Sequence, residues 1–315
     1  MNILRALLAL SSLMFMPVAY AANPDFTYTT NSDAAAVIDT RALATCETAS
    51  LANARCLPAK TFLGPHGRLA NFRDILWIFG TVGLKGDERV LVIGDDRVER
   101  DFVAGLLYLA GQAQIEILTD PPKSNAMTQG GTSRSISREK IFQTPMRDRY
   151  LVLRNELATW VNDRISLSLL DGRNEKEYWG ATVRGIRGGH LPGATSLPLH
   201  LLRKELGTQT AVLPLAPEPI AYGHNAQQGI AYFTLLHAGA GVDARVFPGG
   251  WAAWAANGAL PADSVTYPER TGNVRPSPSK RENYGGRGLG GIIAGLTIGG
   301  ILTAFGFLIG RRTTT

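Results

Sequence analysis

The chain has 315 residues, enough for two domains of ordinary size at about 100–200 residues each. Hydrophobic residues at 45% and charged residues at 18% exclude gross disorder, and two cysteines exclude a dense disulfide scaffold or a four-cysteine zinc site. A formal net charge of +6 could suit a nucleic-acid binder, but no stretch interleaves basic and aromatic residues, so no nucleic-acid partner is expected.

Residues 1–21 hold Arg5, an apolar run over 6–18 and then Ala19-Tyr20-Ala21. That is the order of a secretory signal peptide, with cleavage expected after Ala21. Apolar runs bounded by turn residues predict strands over 36–39, 89–93 and 115–118, and helical periodicity predicts helices over 72–81 and 97–110. Cys46 and Cys56 fall between the first strand and the first helix. In an exported chain they are expected to form a structural disulfide, the alternative being a redox-active pair. Catalytic pairs usually stand as Cys-x-x-Cys at a helix start, which this spacing is not.

The polar segment 120–138, with Pro121-Pro122, Gly130-Gly131 and four serines, reads as part of a linker between two halves, placed at 121–144. Strands are then predicted over 166–171, 218–222 and 244–247, and helices over 153–162, 228–238 and 251–257. Val37-Ile38-Asp39-Thr40-Arg41 in the first half matches Leu169-Leu170-Asp171-Gly172-Arg173 in the second. About 50 residues later in each half, a second apolar strand runs into a helix, at Gly94 and at Gly223. Strands alternating with helices argue α/β with a mainly parallel sheet, and the repeat argues a duplicated domain.

Residues 261–288 are rich in proline, serine and basic residues and read as an extended tether. Residues 289–310 carry no charge, are long enough to cross a bilayer as a helix, and are followed by Arg311-Arg312. Gly291, Gly295 and Gly299 repeat every fourth residue, a small-residue face suited to helix–helix contact. A single-pass transmembrane helix is therefore expected, with the membrane, a membrane-protein partner or a second copy of the chain as what it meets. With the signal peptide, this puts the folded domains on the periplasmic side of the inner membrane.

Three blocks of the second half carry a family resemblance. Asp171-Gly172-Arg173 with Glu177-Tyr178 is followed by Gly189-His190-Leu191-Pro192-Gly193-Ala194, and Phe247-Pro248-Gly249-Gly250-Trp251 comes last, with Trp254 one turn on. In this order they resemble the signatures of rhodanese-like domains over residues 145–260. The first half, 23–120, resembles the family through Asp39-Thr40-Arg41 and its second strand–loop–helix, and reads as a degenerate copy. The fold class expected is thus α/β: two tandem rhodanese-like domains, each a mainly parallel sheet flanked by helices, plus the C-terminal transmembrane helix. From the residues alone, Asp171 and Arg173 read as a loop-bracing pair, His190 as a turn residue bonded to backbone, and Trp251 as a core anchor.

The resemblance implies sulfur transfer through a cysteine persulfide, its thiolate cradled by backbone N–H groups at a helix N-terminus. Family members place that cysteine directly after the strand, where this chain has Gly223, and Gly94 in the first half. The loop Gly223, His224, Asn225, Ala226, Gln227 and Gln228 holds no thiol, and neither serine nor threonine replaces one. No catalytic residue is expected; His224 as a base or nucleophile is the weaker reading against a solvent-exposed side chain. If the loop keeps its shape, it is a candidate anion site for a small sulfur oxyanion such as thiosulfate or sulfite, the alternative being a decayed loop. The five histidines show no metal-ligand spacing, and no metal or cofactor is expected. The function expected is a membrane-anchored, exported, inactive binding or scaffolding module in envelope sulfur or redox metabolism. Two alternatives stand beside it: an active sulfurtransferase with an atypical nucleophile, and a structural subunit of a membrane complex.

Overall fold

The computed structural model describes residues 23–34, 36–207 and 217–264, all within one compact unit. The expected signal peptide at 1–21 and most of the expected tether lie outside these residues, as does the whole of Gly272–Thr315.

The first half contains β1 (Phe26–Thr29), β2 (Ala36–Asp39), α1 (Leu43–Thr48), β3 (Ala54–Cys56), α2 (Phe72–Thr81), β4 (Arg89–Ile93), α3 (Arg97–Ala110), β5 (Gln114–Leu118) and β6 (Thr132–Ser133). The second contains α4 (Arg154–Asn162), β7 (Leu169–Asp171), α5 (Glu175–Tyr178), β8 (Thr195–Ser196), α6 (Leu199–Gly207), β9 (Ile220–Tyr222), α7 (Ala226–Thr234), β10 (Arg245–Val246) and α8 (Gly250–Ala255). The first sheet runs β1-β5-β4-β2-β3-β6, with every pairing parallel. The second runs β10-β9-β7-β8, also parallel throughout, and Leu151 adds a parallel bridge to Val246 on its β10 edge.

The two halves are the same plan at the level of register. Asp39 pairs with Ile93 and Cys56; Asp171 pairs with Tyr222 and Ser196. After each aspartate the next backbone N–H donates across the sheet, Thr40 to the Ile93 carbonyl and Gly172 to the Tyr222 carbonyl, both 2.9 Å. Gly94 and Gly223 are thereby equivalent positions, each one residue past the end of a central strand. Those strands are central because they are apolar on both faces: β4 is buried from Val90 to Ile93, and β9 throughout.

Each strand hands over to a helix through a side-chain cap. The Asp96 carboxylate accepts from the N–H groups of Val98 and Glu99 to start α3, and the Asn225 amide oxygen accepts from Gln228 N–H to start α7. Helix α3 stops at Gly111, whose φ of 101° few side chains tolerate. Helices α3 and α7 then cross at their small residues. A Cβ on Gly105 would lie 2.4 Å from Thr234 Oγ1 and 2.6 Å from Ile230 Cγ2, so only glycine allows this approach. The contact makes one core of the two halves: Phe102, Leu106 and Val92 cluster with Ile230, Phe233 and Val246.

The polar segment expected as a linker is stitched to the first half. Its β6 pairs with β3, and Gly80 O accepts from the N–H groups of Glu139 and Lys140. The first residues of the expected tether are also bound. His190 and Asp263 exchange backbone hydrogen bonds of 2.9 and 3.0 Å, and Trp254 Nε1–H donates to Pro261 O at 2.7 Å.

The membrane-spanning part of the expected fold is corrected. Among the described residues no helix is long and apolar enough to cross a membrane. The longest, α3, has 14 residues, against the roughly 20 apolar residues that a span requires. Residues 289–310, with Gly291, Gly295 and Gly299, lie outside the described residues. The fold the structure carries is α/β with two parallel sheets. With no spanning helix among the described residues, four expectations are corrected: the single-pass inner-membrane location, the membrane anchor in the function, the role in a membrane complex, and partnering or self-association through that helix.

Candidate functional site

The site of interest is the end of the central strand in each half, where the resemblance would place a nucleophile. In the second half the Asp171–Arg173 pair lies just beneath it. Arg173 grips Asp171 with Nε (2.9 Å to Oδ1) and Nη2 (2.6 Å to Oδ2), and its backbone N–H donates to Oδ1. Tyr222 Oη–H donates to Oδ2 at 2.6 Å and accepts from Leu191 N–H at 3.3 Å. The pair is fully enclosed, with side-chain exposures of 1% and 0%, so it presents nothing to a ligand. Burial opposes the Arg173 charge, but hydrogen bonding and attraction to Asp171 carry its pKa above the usual guanidinium value. Burial, and then the Asp171 charge, push the Tyr222 hydroxyl well up, so it remains a donor.

Arg173 Nη2 also donates to Gly189 O at 2.8 Å, which ties down the loop that carries His190. His190 Nδ1 lies 2.9 Å from Tyr178 O, and its ring stacks on the Tyr178 ring at 3.7 Å. Gly193, at φ +74°, turns the chain toward β8. The first half repeats the device with other partners. Arg41 grips Asp39 through Nε and Nη2, Nη2 also donates to Ala49 O, and Ser50 Oγ–H takes the place of Tyr222 on Asp39 Oδ2 at 2.6 Å.

Above this brace, residues 223–228 connect β9 to α7. Segment 249–252 holds the loop from behind: Trp251 N–H donates to Gly223 O (2.9 Å) and Ala252 N–H to His224 O (2.8 Å). Gly250 makes that possible. Its φ is +57°, and a Cβ there would lie 2.6 Å from Gly223 O. Gly249 is crowded by Ala253 and Phe247 in the same way. Trp251 is 2% exposed, donates from Nε1 to Arg187 O at 3.1 Å, and lies under the Arg173 guanidinium at 4.9 Å.

The loop itself is closed. A Cβ on Gly223 would meet Gly229 N at 2.7 Å and Gln228 C at 2.8 Å, so the first turn of α7 fills the place a cysteine side chain would take. The room that glycine was expected to open there is occupied by backbone. Gln228 Oε1 accepts from His224 N–H at 3.2 Å, and Asn225 Oδ1 accepts from Gln228 N–H at 3.1 Å. Two N–H groups of the expected cradle are thus taken by its own side chains; Ala226 and Gln227 continue into the helix. In the first half the equivalent position is shut by a different group: a Cβ on Gly94 would lie 2.2 Å from Thr40 Oγ1, which donates to Ile93 O.

His224 is buried at 8% exposure rather than facing solvent. Its Nδ1 has no hydrogen-bond partner among the described residues. Burial, and then the nearby Arg184 charge, lower its pKa, so the ring is neutral at pH 7. Among the described residues no side chain bonds to its ring to orient it as a base.

Cys46 and Cys56 form a disulfide with a Cα–Cα distance of 5.8 Å, and with two cysteines in the sequence no thiol is left. Closing a loop over a separation of 10 residues contributes about 2–3 kcal/mol by chain entropy. The disulfide joins α1 to the end of β3, outside both strand-to-helix loops in sequence, and is covered by Gly131, where a Cβ would lie 2.5 Å from Cys46 Sγ. Among the described residues no cluster of three or more histidine, cysteine or acidic side chains could hold a metal ion.

Sequence reasoning singled out Asp171, Arg173, His190, Gly193, Gly249, Gly250 and Trp251, and the structure brings them around one strand end. It missed Tyr222, the third member of the Asp171 brace, and Ser50, its counterpart in the first half. Tyr222 was readable only as one more apolar residue of its strand. Nothing in the sequence marks Ser50, because its partner lies 11 positions away across a helix.

Residues 154–257 match the family model described as the rhodanese-like domain. A search of curated proteins finds no match. Among solved structures, one titled as a probable thiosulfate sulfurtransferase is 24% identical, covering 75% of this chain and 99% of its own, with a TM-score of 0.57. The structure of YnjE is 16% identical at a TM-score of 0.59, and wild-type EanB 14% identical at 0.57. This chain spans 64% and 65% of those two proteins and is itself covered over 78% and 79%. The described chain therefore has the rhodanese-superfamily fold, and the match to the rhodanese-like family model lies in its second half.

Proposed function

We propose that this chain is a non-catalytic rhodanese-type module, a fold that has lost sulfur transfer. One observation carries the reading: the only two cysteines are bonded to each other, and neither belongs to the two loops where the fold would use a thiolate. Persulfide transfer needs a thiolate that can attack and then leave. Here both candidate positions are glycines whose side-chain space is filled, by the α7 backbone at 223 and by Thr40 at 94.

An active sulfurtransferase with an atypical nucleophile would have to recruit Cys46 or Cys56 after reduction. Both are buried, at 0% and 1% exposure. The loop geometry does not favour the sulfur-oxyanion reading either, since Gln228 and Asn225 already satisfy two of the N–H groups such a ligand would need.

The test is thiosulfate-to-cyanide sulfur transfer by the full chain, with and without prior reduction. The expected rate of thiocyanate formation is that of buffer alone in both states. Turnover that disappears in Cys46→Ser or Cys56→Ser would overturn the proposal.

A further inference from the structure

A cleft of about 420 Å³ opens between the two halves, at the opposite end of α7 from the 223–228 loop. The two are separated by roughly 18 Å of helix at 1.5 Å per residue. The volume lies within the 300–1,000 Å³ typical of small-molecule sites, which favour domain interfaces. One wall comes from the first half, with Tyr28, Arg97 and Arg100; the other from the second, with Arg203 and the apolar Leu206 and Leu235.

The charges in this cleft are not balanced. Asp101 is the carboxylate that meets its arginines, and it is 0% exposed and spent. Its Oδ1 accepts from Arg100 Nε at 3.0 Å, and its Oδ2 from Tyr28 Oη at 2.8 Å and Arg203 Nη2 at 2.5 Å. Arg100 also donates to the carbonyls of Leu118 and Thr119, so it is a fixed, enclosed charge. Arg97, on the rim, is exposed and has no ion pair among the described residues. The charged side chains that line the cleft are three arginines, and Asp101 is the carboxylate bonded to two of them. The N-terminus of α3 adds little, because Asp96 already caps it.

Opposite this charge the wall is apolar and kept open by a glycine. A Cβ on Gly239 would come 2.8 Å from Leu206 Cδ1 and 3.3 Å from Leu235 Cδ1. We infer that the inter-half cleft binds a small organic anion, a dianionic head facing Arg97 and Arg203 and an apolar body lying on Leu206 and Leu235. Guanidinium groups suit phosphate or paired carboxylates through charge-assisted hydrogen bonds, and the apolar wall rewards a ligand that is more than its head. The inference does not depend on the state of the 223–228 loop.

Titration calorimetry of the full chain with phenyl phosphate tests it, with inorganic phosphate as the head alone and benzyl alcohol as the uncharged body. Phenyl phosphate is expected to bind about tenfold or more tightly than either control. Arg97→Glu, at an exposed position with no ion pair among the described residues, is expected to weaken phenyl phosphate about tenfold while leaving the melting temperature of the free protein unchanged. Absence of binding by phenyl phosphate at millimolar concentration, equal affinity for benzyl alcohol, or an Arg97→Glu variant with unaltered affinity would each overturn the assignment.

Discussion

At Gly223 the chemistry of the whole fold is decided by two contacts. A side chain there meets backbone atoms of Gln228 and Gly229 rather than open space, so the position cannot be restored by putting the family's residue back. Gly223→Cys is expected to lower stability by about 1–3 kcal/mol, the range for overpacking a tight site, and to yield no thiocyanate turnover. A stable, active Gly223→Cys protein in denaturant and turnover assays would show that the loop is open. A second residue-scale consequence concerns pH. His237 is buried against Tyr108, Tyr150 and Phe233, with its Nε2 2.7 Å from Ala244 O. Burial lowers its pKa below the ordinary 6.5, although the Ala244 hydrogen bond and Asp243 oppose the shift. The unfolded chain takes up the proton first, so stability is lost as pH falls below 6.5 and is intact above it. His224 adds a slope of the same sign. Urea midpoints measured from about pH 7 to pH 5 are expected to fall, and His237→Gln to flatten part of that fall. Equal slopes in the two proteins would remove His237 from the account.

The elements explain which sequence signals could be read. Strands β2, β4 and β5 and helices α2 and α3 lie within a residue of the expected positions, because apolar runs and Asn or Asp caps mark them locally. The short β6 and β8 and helices α1 and α5 carry too few residues for a period to show, and they exist because a neighbour pairs with or covers them, whereas β1 and α6 go unread although they are as long as β2 and α4. The predicted helix over 228–238 is two elements: α7 ends at Thr234 and continues as a wider turn over Leu235–Gly239, which shapes one wall of the cleft. The packing of α3 on α7 is likewise invisible in either helix alone. Gly105→Ala gains about 1 kcal/mol of helix propensity but places a methyl 2.4 Å from Thr234 Oγ1. A net loss of about 1–2 kcal/mol is expected, partly recovered by Thr234→Ala in the same chain. Additive losses in denaturant titrations of the double variant would mean that the two helices are not in this contact.

Over the whole molecule, an α/β plan with parallel sheets is legible in the sequence and its consequences are not. The Asp39–Arg41 and Asp171–Arg173 repeats mark equivalent strand ends, and the missing thiol can be read directly at Gly94 and Gly223. The structure adds that both glycines are enforced by packing. It also adds that residues of the expected 121–144 linker bond to the first half, β6 to β3 and Gly131 N–H to Cys46 O. The membrane helix was argued from residues 289–310 taken alone, and the described fold supplies no spanning helix to stand with it. The cleft was beyond reach because Tyr28, Arg97, Asp101 and Arg203 come from three distant stretches whose meeting depends on the α3–α7 crossing. The central claim is that this fold has no thiolate able to carry sulfur. Intact mass of the purified full chain after incubation with thiosulfate tests it most directly. The mass is expected to stay that of the disulfide-bonded chain, whereas a species heavier by one sulfur atom, located on Cys46 or Cys56 by peptide mapping, would contradict it.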